Sequence, residues 1–144
     1  MDKENLQETY CNCLYYSAGA LGRVMNKLAE EAFAPIGLSP SHAFLVMSVH
    51  WRPGLQPGQL SQQMMLEPST ITRLIEKLEA AELVERKKDG KNVYVYPGKK
   101  GALKFEQAKK AWQELLANYT KKLGKKEAEE LTRLAYRAVA KLER

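Results

Sequence analysis

The sequence predicts a mainly α fold with one small β-hairpin. Six segments of the 144-residue chain are predicted to be helical, most of them from apolar residues at amphipathic spacing. Two short strand-like runs lie on either side of Asp89-Gly90, a dipeptide typical of hairpin turns. Because 44% of the residues are hydrophobic, the chain can build a core, and we expect a single domain over residues 1–144.

A long helix is predicted at residues 7–34. Its apolar stripe steps by four and three residues, as in a heptad repeat, and such a stripe needs a partner surface. Ser39 and Pro40 then supply an N-cap and a first helical position for a second helix at residues 40–51. That helix is apolar over most of its length, so we expect it to form the buried centre of the fold. The first stripe comprises Tyr10, Leu14, Ser17, Leu21, Val24 and Leu28.

Two short helices with a tight connection follow. The first is predicted at residues 57–64, and residues 65–67 have the length of the connection in a helix-turn-helix. The second begins at Pro68, whose missing N–H costs nothing in a first helical turn. One face of this helix is apolar, with Ile71, Leu74, Ile75 and Leu78 at i, i+3, i+4 and i+7. The opposite face carries Ser69, Thr72, Arg73, Glu76 and Lys77.

A basic hairpin comes next. A strand begins at Leu83, and its partner runs from Asn92 to Tyr96 before Pro97 ends it. Residues 85–100 contain six cations and two acids, which is +4 of the chain's net charge of +6. Lysines can simply protect an edge strand, but beside a helix-turn-helix we interpret this excess as a clamp on a DNA backbone.

Two C-terminal helices complete the predicted fold, at residues 99–123 and 125–142. Gly124 between them is a natural helix stop. Together with the first helix, they carry more apolar surface than one small helix-turn-helix can cover. The simplest explanation is a homodimer in which these helices pack against their mates.

The order of helix, turn, helix and basic hairpin resembles a winged helix-turn-helix. The stretch QLSQQMMLEPSTITRLIEKLEAAELVERKKDGKNVYVYPGKKG at residues 59–101 is similar to the MarR (multiple-antibiotic-resistance regulator) family of bacterial and archaeal repressors. The resemblance implies a dimer that places two helices in successive major grooves, roughly 34 Å apart, of a pseudo-palindromic operator. The expected architecture is a winged helix-turn-helix core at about residues 39–98, flanked by dimerisation helices at about 7–34 and 99–142.

The exposed face of the second short helix is expected to read double-stranded DNA. Arg73 is the candidate for a guanine edge and Lys77 for a phosphate, whereas Glu76 is expected to pair with a neighbouring cation. The resemblance implies an Asp–Arg pair at the hairpin tip, but the matching cation here is Lys91, which lacks the planar fork of Arg. The predicted DNA-binding residues are Ser69, Thr70, Thr72, Arg73, Lys77, Arg86, Lys88, Lys91 and Asn92.

Two positions depart from the family pattern. Glu82 stands where relatives often have Gly, and a left-handed backbone there would strain it slightly. Gly98 stands where a Thr often caps the next helix, so we expect a looser start to that helix.

How DNA would be released is open between two alternatives. The resemblance implies a small aromatic or anionic effector bound between the dimer helices and the DNA-binding part. Alternatively, the segment Cys11-Asn12-Cys13-Leu14-Tyr15 is similar to the start of the organic-hydroperoxide-resistance regulators, which implies Cys11 as a redox sensor. Such a thiol needs exposure and a low pKa, and a packing role is the simpler interpretation. Candidate effector-pocket residues, each also compatible with ordinary packing, are Tyr15, Tyr16, His42, Met47 and Trp51.

Other classes find little support in the sequence. It has no Cys–His spacing for zinc, no glycine-rich phosphate loop and no nucleophile elbow, so we expect no enzymatic activity, metal or cofactor. It also lacks a signal peptide or an apolar run of membrane-spanning length, which favours a cytoplasmic protein without a membrane partner. The remaining rival is a winged helix that contacts an acidic protein instead of DNA.

Overall fold

The computed structural model describes residues 5–143 and contains seven α-helices and one antiparallel hairpin within them. A 3-10 turn, Ala34–Ile36, lies between the second and third helices. The elements are α1 (Leu6–Tyr10), α2 (Leu14–Phe33), α3 (Pro40–Trp51), α4 (Pro57–Met64), α5 (Pro68–Ala80), β1 (Val84–Asp89), β2 (Asn92–Pro97), α6 (Gly101–Leu123) and α7 (Lys125–Leu142).

The prediction of one uninterrupted helix over residues 7–34 is wrong, because the chain breaks between α1 and α2. Cys13 is extended, with φ −91° and ψ 120°, and occupies the N-cap position of α2. The Cys11 carbonyl accepts a hydrogen bond from the Ser17 hydroxyl at 2.8 Å. Cys11 and Cys13 therefore flank a helix break, instead of occupying two positions on one helix as the sequence suggested. Both thiols are free and exposed.

The other predicted helices are confirmed. Three of them have the predicted ends: α3, α4 and α7. Ser39 caps α3 through its hydroxyl, which accepts from the His42 N–H at 3.3 Å. The sixth helix begins at Gly101, slightly later than predicted, and its N-cap residue Lys100 makes no side-chain capping bond.

The main core lies where α3 packs on α4, α5 and the hairpin. Leu45, Val46 and Val49 of α3 are fully buried there, as the apolar composition of this helix predicted. Phe44 is an exception, because it is 41% exposed. A second apolar cluster joins α3 to α2 and α6. The buried residues of this second cluster are Phe33, Ala43, Met47, Ala108, Ala111 and Leu115.

The hairpin is held against the body of the fold at its base. Its register pairs Val84 with Pro97 and Asp89 with Asn92, which leaves a two-residue turn. Val95 of β2 donates its N–H to the Leu55 carbonyl at 2.9 Å and accepts from the Gly54 N–H at 2.9 Å. The loop between α3 and α4 therefore pairs with β2 on the side away from β1.

The start of α6 packs against the end of α5 backbone to backbone. Glu82 adopts the expected left-handed conformation, with φ +60°. A Cβ added to Gly98 would lie 2.4 Å from the Glu82 carbonyl oxygen, so only glycine fits there. The expectation of a looser helix start at Gly98 thus missed a tight contact, and the Lys100 N–H bonds the same carbonyl at 2.9 Å.

Among residues 5–143, no single helix has both the length and the apolar character needed to cross a membrane. One pair meets the length and composition requirement together, Leu14–Ile36 with Pro40–Trp51, but it is bent by 66°.

Candidate nucleic-acid interface

The helix α5 has one buried and one exposed face. Ile71, Ile75 and Leu78 are at most 1% exposed and hold the helix against α3 and α4. The polar residues point away from this core. Exposed residues on that outer face are Ser69, Thr72, Arg73, Glu76 and Lys77, and Thr70 is half-buried beside them.

A short turn fixes the angle between α4 and α5. Met65 adopts a left-handed conformation, with φ +56°, and its N–H closes the end of α4 on the Gln62 and Ser61 carbonyls. The Ser61 hydroxyl donates to the Leu66 carbonyl at 2.5 Å and so satisfies a group inside the turn. The sequence predicted the length of this turn but not the strained Met65, since a non-glycine residue rarely adopts positive φ.

The outer face of α5 offers cations without ion-pair partners. Within residues 5–143, the side chains of Arg73 and Lys77 make no ion pair and no hydrogen bond. The Thr72 hydroxyl donates back to the Pro68 carbonyl at 3.1 Å and can still accept a bond from outside. No acid occurs on this helix before Glu76, so its N-terminal half presents hydroxyls, N–H groups and one guanidinium.

In the hairpin, or wing, the cations divide into two groups. The Arg86 guanidinium is paired with Glu79 of α5 at 2.8 Å, and Lys87 lies over the Tyr96 ring at 4.9 Å from its centroid. Lys88 and Lys91 are exposed and make no ion pair among the described residues. The tip of the wing is therefore the part that carries unpaired positive charge.

The Arg86 pair changes the titration of both partners. Its hydrogen bond to the Glu79 carboxylate lowers the pKa of Glu79 below the ordinary value of 4.5. The same bond raises the pKa of Arg86 above its ordinary value. Both residues are charged at neutral pH, which a charge-assisted bond requires.

His42 lies near the cations of α5. Its Nδ1 is in contact with the Ser39 hydroxyl at the start of α3. Burial lowers the pKa of His42 below 6.5, and the charge of Lys77 lowers it further. Neutral His42 therefore avoids adding a second positive charge beside Lys77.

The five residues predicted to line an effector pocket do not share a cavity within the described chain. Tyr15 and Tyr16 line a cavity of about 360 Å³ together with Cys13 and Arg23. Met47 is instead buried in the second apolar cluster, and Trp51 is 52% exposed on another face. Within the single chain, Tyr15 and Tyr16 thus line one cavity, whereas Met47 lies in the core.

A row of aromatic rings on α3 and α6 was missed by the sequence analysis. Trp51 contacts Phe105 and Trp112 edge to face, at centroid distances of 5.6 and 6.0 Å. His50 stacks on Phe105 at 4.7 Å, and its Nδ1 bonds the Val46 carbonyl at 2.9 Å. The rings on α3 precede those on α6 by at least 54 residues in the chain, so the sequence showed only the apolar periodicity of each helix by itself.

Metal ligation has no candidate site in the part of the chain that the structure describes. No three His, Cys, Asp or Glu side chains between residues 5 and 143 lie close enough together to hold an ion.

Comparison with known proteins agrees with this geometry. Residues 38–92 match the model of the MarR family, and no curated protein gives a significant match. A cysteine-to-serine mutant of MarR from E. coli, solved with operator DNA, superposes with a TM-score of 0.79 at 20% identity, covering 93% of this chain and 98% of that one. The transcriptional regulator SlyA gives 0.76 at 17% identity, covering 91% and 94%.

A MepR-like protein complexed with pseudoligands has 28% identity and a TM-score of 0.69, over 90% of this chain and 94% of that one. The family model spans the helix-turn-helix and most of the wing, and the shared fold extends over the remaining helices. The chain therefore matches the MarR family model over residues 38–92 and has the winged helix-turn-helix fold of these solved regulators.

Proposed function

We propose that this protein is a homodimeric regulator that binds double-stranded DNA sequence-specifically and represses transcription. The observation that carries the proposal is the division of α5, whose apolar face is fully buried while its outer face presents Ser69, Arg73 and Lys77 to solvent. A helix presented in this way can enter a major groove.

Within that groove, Arg73 is proposed to read a guanine edge. Its guanidinium is free of intramolecular partners in residues 5–143, and its planar fork can donate two parallel bonds to guanine. Ser69 and Thr70 lie in the first turn, where the N-terminal end of the helix favours a phosphate. Lys77, farther along the same face, is proposed to meet the backbone.

The tip of the wing is proposed to follow the adjacent minor groove. Lys88, Lys91 and Asn92 are exposed around the two-residue turn. Lysine contributes charge without a bidentate geometry, so we expect this contact to strengthen binding to every duplex about equally.

The dimer is proposed from apolar side chains that the single chain leaves uncovered. Leu21 and Val24 of α2 are 42% and 56% exposed, and Leu134 of α7 is 56% exposed. Ala128 is the only residue of α7 that the described chain buries. An 18-residue amphipathic helix with so little buried surface needs another partner, and a second copy of residues 1–144 supplies matching faces. Two copies of α5 would then require a pseudo-palindromic operator.

Release by a small aromatic or anionic ligand is the first proposed mode of regulation. Support comes from two places, the cavity beside Tyr15 and Tyr16, with Arg23 in its wall, and the half-exposed ring of Trp51. Either would adjoin a dimer helix, so a ligand there could change the separation of the two recognition helices.

Oxidation of Cys11 is the second proposed mode. Its thiol is exposed and donates to the Glu8 carbonyl at 3.3 Å, and the neighbouring Cys13 is exposed as well. Solvent access is one requirement for a peroxide-sensing cysteine.

Fluorescence anisotropy tests DNA binding directly. The probe is the duplex immediately upstream of the protein's own gene, compared with a scrambled duplex at two salt concentrations. We expect preferential binding that weakens steeply with salt. Arg73→Ala should cost roughly 1–3 kcal/mol on the operator and relax specificity, whereas Lys91→Ala should weaken both duplexes about equally.

Unchanged operator affinity in Arg73→Ala would refute the proposed reading face. Equal binding to all duplexes, including a selected random library, would instead favour the protein-contact alternative. Adding organic peroxide to the wild type and to Cys11→Ser separates the two modes of release. Loss of binding in the wild type alone identifies the thiol mode.

A further inference from the structure

We propose that Arg86 and Glu79 form a bracket that sets the angle between the wing and α5, so that Arg86 is a positioning residue and not a DNA contact. This inference rests on the proposed function, because the bracket matters only if both elements meet one duplex. It also replaces the sequence-based expectation that Arg86 binds DNA.

The bracket is a fork-shaped pairing. Arg86 Nη2 donates to Glu79 Oε1 at 2.8 Å, and Nε donates to Oε1 and Oε2 at 3.2 and 3.3 Å. Both side chains are only about one-third exposed, at 36% and 35%. The Arg86 guanidinium would have to break these charge-assisted bonds to Glu79 before it could reach a phosphate.

The main chain of β1 joins the same carboxylate. The Arg86 N–H donates to Glu79 Oε2 at 3.2 Å. This N–H is available because Arg86 lies opposite Val95, whose own N–H and carbonyl bond to Leu55 and Gly54. Arg86 and Val95 thus form a non-hydrogen-bonded pair, in which both backbones point outward. Glu79 therefore holds the strand as well as the side chain.

The position of the bracket makes it a pivot for the wing tip. Leu83 and Val84 are buried at the base, while every residue of β1 after Val84 is exposed. Asp89, the last residue of β1, is three residues beyond Arg86, which is about 10 Å of strand. A rotation of roughly 20° at the bracket, within the usual range of strand twist, would move the tip about 3 Å, enough to lose a hydrogen bond.

Whether Glu79→Gln strengthens or weakens DNA binding distinguishes a positioning role of the carboxylate from a direct electrostatic effect. Glu79→Gln removes a negative charge near the proposed DNA surface, which by charge alone should strengthen binding. If the carboxylate instead orients the wing, the same change should weaken binding. Glu85→Gln is the matched control, since Glu85 is a neighbouring exposed acid on β1 with no ion pair within residues 5–143.

The experiment measures operator binding of the full chain over a series of salt concentrations. We expect Glu79→Gln and Arg86→Gln each to weaken binding roughly two- to fivefold per half-site, the double variant to be no worse, and Glu85→Gln to bind as well as the wild type or better. The salt dependence should stay unchanged in Arg86→Gln. If Glu79→Gln binds more tightly and Arg86→Gln lowers the salt slope by about one, Arg86 contacts phosphate and the bracket is refuted.

Amide hydrogen exchange supplies a readout that needs no DNA. Glu79→Gln should speed exchange at the Arg86 N–H, whereas Glu85→Gln should not. Urea unfolding checks that both variants are folded. Wild-type protein without duplex preference would overturn the proposed function, but the exchange result would still decide whether the bracket exists. Unchanged exchange at Arg86 overturns the bracket by itself.

Discussion

Replacing Gly98 with alanine tests how closely the end of α5, the wing and the start of α6 are joined. The added Cβ would lie 2.4 Å from the Glu82 carbonyl oxygen, 2.8 Å from its carbonyl carbon and 2.8 Å from the Val84 nitrogen. All three are backbone atoms, so no flexible side chain can move aside. To make room for the Cβ, the backbone at residues 82–84 and the backbone at residue 98 must separate by several tenths of an ångström or more.

The cost follows from what the separation breaks. Overpacking in a tight site costs about 1–3 kcal/mol. Moving the Glu82 carbonyl also weakens the bond it accepts from the Lys100 N–H at 2.9 Å, which is worth about 0.5–1.5 kcal/mol. We therefore expect Gly98→Ala to lower the free energy of unfolding by about 2–4 kcal/mol, or Tm by roughly 4–16 °C for a chain of this length.

Urea and thermal unfolding followed by circular dichroism measure this change at fixed protein concentration. Gly58→Ala is the control, because an added Cβ there meets no atom within 4 Å. That variant should be neutral or more stable by up to about 1 kcal/mol. If Gly98→Ala unfolds like the wild type, the backbone contact between residues 82 and 98 is looser than described, and the reasoning is wrong.

Two further predictions concern charge and assembly. Lys77→Gln should raise the pKa of His42 toward 6.5, measured by NMR titration of the imidazole, because the charge of Lys77 helps to lower it. Because the pKa of His42 is depressed in the folded state, its contribution to stability is fully present above pH 6.5 and is lost as the pH falls through the folded-state pKa. Lys77→Gln should reduce this loss of stability. An unchanged His42 titration in that variant would contradict the prediction. Leu134→Lys should shift the proposed dimer toward monomer in sedimentation while keeping its helicity, since Leu134 is 56% exposed in the single chain. Leu103→Lys is the control, because Leu103 is 69% exposed in the first turns of α6, and it should leave assembly unchanged. If the Leu134→Lys dimer is as tight as that of the wild type, α7 is not the interface.

The buried face of α5 was predictable because its signal is local. Apolar residues at i, i+3, i+4 and i+7 assign Ile71, Leu74, Ile75 and Leu78 to one face, and the structure buries all four. The caps and stops of α3, α4 and α7 were equally readable from Ser39, Pro40, Pro57 and Gly124. The break at Cys11–Cys13 was not, because no Pro or Gly marks it and the Ser17 hydroxyl satisfies the freed carbonyl.

The candidate site was predictable only in part, because its chemistry depends on neighbours. Sequence reasoning assigned Arg86, Lys88 and Lys91 of the wing alike to DNA binding. In the structure, Arg86 forms an ion pair with Glu79 and Lys87 lies over the Tyr96 ring, whereas Lys88 and Lys91 make no ion pair in the described chain. The effector candidates also differ in their surroundings, since Met47 and Trp51 are four residues apart on α3 but are 2% and 52% exposed.

By itself, the sequence determined most of the helical segments, which face of α5 is polar and where the basic hairpin lies. Those properties arise from residues a few positions apart, which hydrophobic periodicity and turn chemistry report directly. Only the tertiary structure decided that Arg86 is engaged and that Gly98 must lack a side chain. Both depend on contacts between separate elements, Glu79 with Arg86 and Glu82 with Gly98, and no local pattern encodes such a distance.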